Sequence, residues 1–438
     1  MSMLVLGLLF TVVTLVIMFS GMPIAFSLGS VALLFMYLFM PASALDTVTQ
    51  NVYEEMASIT LLSIPLFILK DSAIGKSRAG QDLYTALHVW MGRIPGGLGV
   101  ANVFACALFA AMAGSSPATC SAIGSAGIPE MRKRGYPAGF AAGIIAAGGT
   151  LGILLPPSIT MILYAVAAEQ SLGRLFLAGI GPGLLLVALF AAYTVWRFRG
   201  ELARGTIPHA TETFSMSEKL AVLPFVILLT GVMVALYGGY ATPSETAGLG
   251  AVLALALIAV IYGIWKPKDL APIMSSTLKE STMLMFIISM SLLFSYVMSY
   301  LHINQSAAQW IVELHLSRWA LLAAILFLVI VLGFFLPPVS IILMTAPIIL
   351  PPLKAAGFDL VWFGILMTIV METGLIHPPV GLNIFVIKNI APDISLGEII
   401  WGIVSFVILM LLAVVLICVF PGIANGLPDM IMGPMAAK

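Results

Sequence analysis

The stretch Ala111–Ala122, AMAGSSPATCSA, interrupts a chain that is apolar on both sides of it. A buried helix would be expected to continue through this point. Gly114, Ser115, Ser116, Pro117 and Thr119 are instead residues that end helices and offer oxygen atoms. Composition sets the surroundings of the break. Of 438 residues, 61% are hydrophobic and 9% charged, with no formal net charge. A soluble domain carries about 25% charge, so the chain is an integral membrane protein. Apolar runs near the ~20 residues needed to cross a bilayer recur along its length. They include Leu4–Phe19, Ile24–Met40, Ile94–Ala113, Phe176–Trp196, Leu220–Leu236, Gly248–Trp265 and Ile399–Phe420. The runs are continuous rather than alternating, which predicts helices and not a barrel. The first has no basic segment before it and a second run directly after it, unlike a cleaved signal. Cys106, Cys120 and Cys418 lie among apolar or small residues and read as core.

Charge predicts the topology. Lys70, Lys76, Arg78 and Arg93 form one cationic group, and Arg132, Lys133 and Arg134 a second. Arg197, Arg199, Arg204 and Lys219 bound the longest polar loop, followed by Lys266, Lys268 and Lys279. A path that starts outside places these, with Lys388, on the cytoplasmic side, 15 of the 19 Lys and Arg. Arg174, Arg318, Lys354 and Lys438 remain outside, and both termini with them. This path requires Ile94–Met131 to return to the side it left. As one straight helix those residues would be ~57 Å long, about twice the hydrocarbon core. Gly114–Pro117 is the turn. The second arm, Pro117–Met131, is short and carries Thr119, Ser121, Gly124, Ser125 and Gly127, which suits packing inside protein and hence a re-entrant hairpin.

The break is made twice. Displacing the chain by 222 residues lays IPEMRKRGYP (Ile128–Pro137) over LPPLKAAGFD (Leu350–Asp359), and LGILLPPS (Leu151–Ser158) over TGLIHPPV (Thr373–Val380). The first tip then falls on Leu336–Ile341, LPPVSI. With two residues more, SLGRLFLAGI (Ser171–Ile180) meets SLGEIIWGI (Ser395–Ile403). Arg318 and Lys354 flank the second tip on the opposite side from Arg93 and Arg132, so the halves are inverted. Inverted repeats with paired broken elements are a transporter signature. Helix ends at such breaks leave unpaired N–H and C=O groups that hold ions and anionic groups. Ser115, Ser116 and Thr119 add hydroxyls at the first tip. Downstream of each tip lies a broken helix, GGTLGILLPPS (Gly148–Ser158) and METGLIHPPVG (Met371–Gly381). Each double proline removes two donors. Gly148, Gly149 and Gly152, or Gly374 and Gly381, permit unwinding. Thr150, Ser158, Thr373 and Asn383 are further candidate oxygen ligands.

Glu372 is the carboxylate deep in a broken helix, either a cation or proton site or an acceptor for backbone N–H groups. His377 is either a titrating group or a satisfied hydrogen-bonding residue. Glu245 reads as a helix cap with Thr242 or Ser244. Glu54, Glu55, Lys70 and Asp71 read as interfacial. No phosphate-binding loop GxxxxGK[ST] occurs, so ATP hydrolysis is not carried here. No His/Cys/Asp cluster has metal-enzyme spacing, and no tip hydroxyl has His or Lys nearby in sequence to make it a nucleophile. Charge is too sparse for a nucleic-acid face. An ion gradient or another subunit must therefore supply the energy.

The motifs GMPIAFSLG (Gly21–Gly29), SIPLFIL (Ser63–Leu69), GRIPGGLGVANV (Gly92–Val103), GSSPAT (Gly114–Thr119), ATPSETAG (Ala241–Gly248) and GLIHPPVGLNIFV (Gly374–Val386), with the first broken helix, run the length of the chain. In this order they resemble the large membrane subunit of tripartite ATP-independent periplasmic (TRAP) transporters. The resemblance implies an all-α integral membrane protein, an inverted-repeat elevator-type secondary transporter with two re-entrant helical hairpins and two broken transmembrane helices. It implies scaffold and arm helices in residues 1–90, the first half of the transport domain in 91–181 and scaffold helices with connecting loops in 182–316. The second transport half would be 317–393, and 394–438 a C-terminal helix and tail. It further implies Na+ coupling with two or more ions and import of small organic acids across a bacterial inner membrane. A periplasmic solute-binding protein and a small four-helix membrane subunit are the implied partners, with membrane lipid and no nucleic acid. The first sodium site would use Ser115, Ser116 and Thr119 with Gly149, Thr150 and Gly152. The second would use Leu336, Pro337 and Ser340 with Glu372, Thr373 and Gly374. Substrate would meet Ser116, Pro117, Pro157, Ser158, Pro338, Val339, His377, Pro379 and Asn383. The chain departs from the family pattern at Pro337–Pro338, often acidic or hydroxyl, and at His377, often Thr, which shifts the second site toward backbone carbonyls. The alternative is a stand-alone sodium–carboxylate transporter without a binding protein. Which organic acid is carried is not legible.

Overall fold

A computed structural model describes residues 3–41, 49–50, 52–54, 56–91, 96–203, 222–306, 309, 316–378 and 381–434. The described residues form helices and turns, with no strand among them. The first helices are α1 (Met3–Phe19), α2 (Ile24–Phe39), α3 (Ile59–Gly75), α4 (Ala79–Met91), α5 (Gly97–Ala113) and α6 (Ser116–Lys133). Next come α7 (Ala138–Leu154), α8 (Ile159–Ala167), α9 (Leu172–Ala203), α10 (Leu223–Tyr237), α11 (Pro243–Tyr262) and α12 (Pro267–Tyr300). The chain ends with α13 (Arg318–Gly333), α14 (Pro338–Ala355), α15 (Leu360–Leu375), α16 (Leu382–Ile390), α17 (Leu396–Val419) and α18 (Gly422–Met432).

Two of these helices form the centre. Every residue of α7 from Phe140 and of α15 from Val361 is buried. A helix apolar on all sides is stable only inside a bundle, and small residues let its neighbours approach. A methyl group on Gly143 would strike the Gly402 carbonyl, and one on Gly402 the Gly139 carbonyl, so α7 and α17 cross nearly backbone to backbone. A smaller core forms where α1 and α2 meet α12, with the Phe10 ring 4.7 Å from Phe35 and 4.6 Å from Phe294. The outer faces of α2, α11 and α17 expose large apolar side chains such as Tyr37, Leu38, Val260, Trp401 and Val415. In water such surface would be unfavourable; against lipid it is the expected exterior. The helices α9, α11, α12, α14 and α17 are long and apolar enough to cross a membrane, and α7 with α8 forms a pair bent by 44°.

The polar ends sort into two groups. Arg132, at the end of α6, pairs with Asp393 before α17 at 2.5 Å. That hydrogen bond holds the Asp393 carboxyl below its usual range. In the other group Arg174 binds Asp429 at 2.8 Å and the Gly433 carbonyl, and Asn425 donates to Asp359 at 2.9 Å. Arg318 lies over the Phe358 ring at 4.9 Å, next to Asp359. Glu245 caps α11 in a capping box with Thr242, as expected, whereas Ser244 turns away to the Ile59 carbonyl. One reading is corrected. Lys70 and Asp71 are not interfacial but buried, 1% and 8% exposed, because the apolar face of α3 continues past them into the bundle. Glu54 is exposed, and Glu55 lies outside the described residues.

Candidate functional site

The first tip turns within two residues. Gly114 ends α5 in the left-handed region, φ +58°, and donates to the Ala110 carbonyl at 2.8 Å. Glycine adopts this conformation without a Cβ clash. Ser115 is extended, and α6 opens at Ser116 with Pro117 in its first turn, where a missing N–H removes no helix bond. The second tip is looser. α13 ends at Gly333, Leu336 donates to the Leu332 carbonyl at 2.9 Å, and Pro337 is extended before Pro338 starts α14.

Each hairpin is met by a broken helix through a glycine, at its tip in the first half and at the end of α13 in the second, and the two glycines are 222 residues apart. A methyl group on Gly152 would lie 2.7 Å from the Ser115 carbonyl and 2.9 Å from Ser116 N. A methyl group on Gly374 would overlap the Gly333 carbonyl. Gly149 approaches the Ser116 carbonyl in the same way, at 3.1 Å. The break after α7 runs through Leu155, a cis Pro156–Pro157 bond and Ser158, whose hydroxyl accepts from Met161 N at 3.4 Å to cap α8. The break after α15 ends at Gly381, φ +48°, before α16.

These contacts bring Ser115, Ser116, Gly149 and Gly152 together at the first tip. Asn383, from α16, joins them by donating to Ser116 Oγ at 2.8 Å and to the Ala146 carbonyl at 3.2 Å. This bond ties the second half of the chain to the first tip, a role for Asn383 that its reading as an oxygen ligand did not contain. Three threonines behave differently. Thr119 donates to the Ser115 carbonyl at 2.8 Å, Thr150 to Ala147 at 2.6 Å and Thr373 to Val370 at 2.6 Å. Helical hydroxyls commonly satisfy themselves on the preceding turn. Thr150 also faces the Met410 sulfur at 4.0 Å, away from the tip. Ser340 Oγ, next to the second tip, and both carboxyl oxygens of Glu372, on α15, are buried without a hydrogen-bond partner among the described residues. Such groups cost about 1–3 kcal/mol each if left unpaired. Oxygen donors of this kind fit a small hard cation. Among the described residues no group of three His, Cys, Asp or Glu gathers.

Both tips open on one cavity of about 430 Å³, within the range of small-ligand sites. Ser115, Ser116 and Pro117 line it from one side, Pro338 and Val339 from the other, with Thr160 of α8 and Leu382 of α16 between. Pro157 does not line it, but its carbonyl would lie 2.9 Å from a methyl group on Gly114. His377 is elsewhere. It stacks on Phe334 at 4.7 Å and lines a separate cavity of about 260 Å³ beside α17. Pro379 lies outside the described residues. The sequence reading missed Asp71, Lys76 and Glu280, which supply the cavity's charge. An ionisable pair ending the run SIPLFIL was the available signal.

Residues 11–423 match the family model described as the DctM component of the tripartite ATP-independent periplasmic transporter. The chain is 37% identical over 406 residues to the C4-dicarboxylate TRAP transporter large permease protein DctM of Pseudomonas aeruginosa, covering 92% of this chain and 94% of that one. It is 35% identical over 429 residues to the protein of the same description from Rhodobacter capsulatus, covering 95% and 97%. Among solved structures it resembles the YdaH transporter of Alcanivorax borkumensis, with a TM-score of 0.67 at 15% identity, covering 94% of this chain and 99% of that one. This last likeness concerns the fold.

Proposed function

From a chain that belongs to the DctM family of tripartite ATP-independent periplasmic transporters, and is therefore a transporter subunit and not an enzyme, we propose a sodium-coupled importer of small organic acids in a bacterial inner membrane. The observation that carries the proposal is the convergence of both tips on one cavity, each backed by a broken helix. One ion would sit at Ser115, Ser116, Gly149 and Gly152, using carbonyls and serine hydroxyls. A second would sit between α14 and α15, which pack together, and would draw on the unpartnered oxygens of Ser340 and Glu372. Ions bound there add positive charge near the cavity, so a carboxylate enters it more favourably with sodium in place. The N-terminal ends of α6 and α14 add partial positive charge at the tips. Coupling then follows from mutual stabilisation of ion and substrate, which by linkage is reciprocal. Movement of hairpins and broken helices together as an elevator is part of the same proposal, as are periplasmic termini.

A binding protein and a small membrane subunit complete the transporter in this reading. The relatives named as C4-dicarboxylate permeases make succinate the first substrate to try. Proteoliposomes holding this chain and its small subunit should accumulate labelled substrate only when the cognate binding protein is added outside. Uptake at an equal rate without it would identify a stand-alone transporter instead.

A further inference from the structure

We propose that the cavity between the tips recognises an organic acid that also carries a protonated nitrogen, and that Asp71 holds the nitrogen. The proposal rests on the reading of this cavity as the substrate site of an organic-acid importer. Asp71 belongs to α3 and forms part of the same wall as Ser115 and Ser116. It is 8% exposed, and neither carboxylate oxygen receives a hydrogen bond among the described residues. Lys70 Nζ lies 3.4 Å from Oδ1, longer than the roughly 2.7–2.9 Å of a well-made charge-assisted bond. Lys70 itself is not part of the cavity wall; it is 1% exposed and sits over the Phe67 ring at 4.9 Å. The pair is therefore neutralised from behind the wall, while both Asp71 oxygens lie buried in it without a hydrogen-bond partner among the described residues. Oδ2 faces the first tip, where a methyl group on Gly114 would come within 3.1 Å of it. The missing side chain of Gly114 is what lets the carboxylate reach the turn.

Of the other two charged residues in the wall, Lys76 is a cation and Glu280 an anion, so their charges balance. Lys76 donates to the Pro272 carbonyl at 2.5 Å, and Glu280 contributes a second carboxylate. The unfilled hydrogen-bonding capacity at Asp71 is thus for a donor. A plain dicarboxylate would bring a negative group against it, in surroundings where charge is poorly screened. An acid with an ammonium or amidinium group instead donates that group to Asp71. Its carboxylate then lies toward the N-terminal end of α6 and the Ser115 and Ser116 hydroxyls. Lys70 keeps the empty site neutral, which a carboxylate buried alone would not be.

The test uses the purified membrane complex in sodium buffer, with thermal unfolding as the readout of binding. The probes are succinate, aspartate and γ-aminobutyrate. Asp71→Asn alone would leave Lys70 buried without a counter-ion, so Lys70→Gln/Asp71→Asn carries the comparison. At least one nitrogen-bearing acid should stabilise the wild type more than succinate does. In the double variant its half-saturating concentration should rise on the order of tenfold, with the sodium titration unchanged. Succinate stabilising as strongly, nitrogen-bearing acids having no effect, or the double variant keeping its preference would each overturn the proposal. So would a shifted sodium titration with unchanged preference, which would make Asp71 a site for the inorganic cation. If succinate alone stabilises, only this inference fails; if no acid does at any sodium concentration, the organic-acid reading fails with it.

Discussion

Gly374→Val and Gly152→Val should each reduce uptake by about a hundredfold while the protein still reaches the membrane. At both positions the added Cβ meets main chain, the Gly333 carbonyl or the Ser115–Ser116 peptide, and not a side chain that can rotate away. Overpacking of this kind costs about 1–3 kcal/mol, and 3 kcal/mol spent on separating tip from broken helix is about a hundredfold in ion affinity. Gly397 provides the control, because nothing lies within 4 Å of a methyl group placed there. Gly397→Val should transport normally. Uptake near wild type in both tip variants would mean that the close approach of glycine and tip carries no function.

Glu372→Leu should abolish sodium-dependent uptake and at the same time make the protein more stable. The Glu372 carboxyl is 0% exposed and neither oxygen has a partner among the described residues. A polar group left in that position costs about 1–3 kcal/mol, and a similarly sized apolar side chain removes the penalty. The unfolding midpoint measured without sodium should rise by about 2 °C. Adding sodium should stabilise the wild type and close much of that gap. This opposition of stability and activity is the mark of a binding group and not of a structural one. Loss of stability in Glu372→Leu with transport retained would assign Glu372 a purely structural role.

The breaks themselves were readable because they violate local rules. The helices do stop beside Gly114–Pro117 and the double prolines of the two broken helices, at Ala113, Leu154 and Leu375, whereas Pro351–Pro352 lies inside α14, so a double proline alone does not end a helix. The repeat spacing pointed to Gly152 and Gly374 together; Gly152 meets the first tip and Gly374 the end of α13 just before the second. What the sequence could not show is where a side chain points. Thr119, Thr150 and Thr373 offer the same hydroxyl as Ser116, but each bonds to its own preceding turn. His377 precedes a double proline yet turns toward Phe334 and α17. Asp71 was read as interfacial because the apolar run ended at Leu69, and only the packing of α3 against α11, α12 and the first tip buries it. Periodicity and chain breaks are local properties, whereas the lining of a cavity depends on helices far apart in sequence.

The most direct measurement is labelled organic-acid uptake into proteoliposomes containing the membrane complex and binding protein, with the cation gradient as the variable. An inward sodium gradient should drive accumulation above the external concentration, and collapsing it should release the substrate. Equal accumulation with potassium in place of sodium, or with a proton gradient alone, would contradict sodium coupling at the two tips.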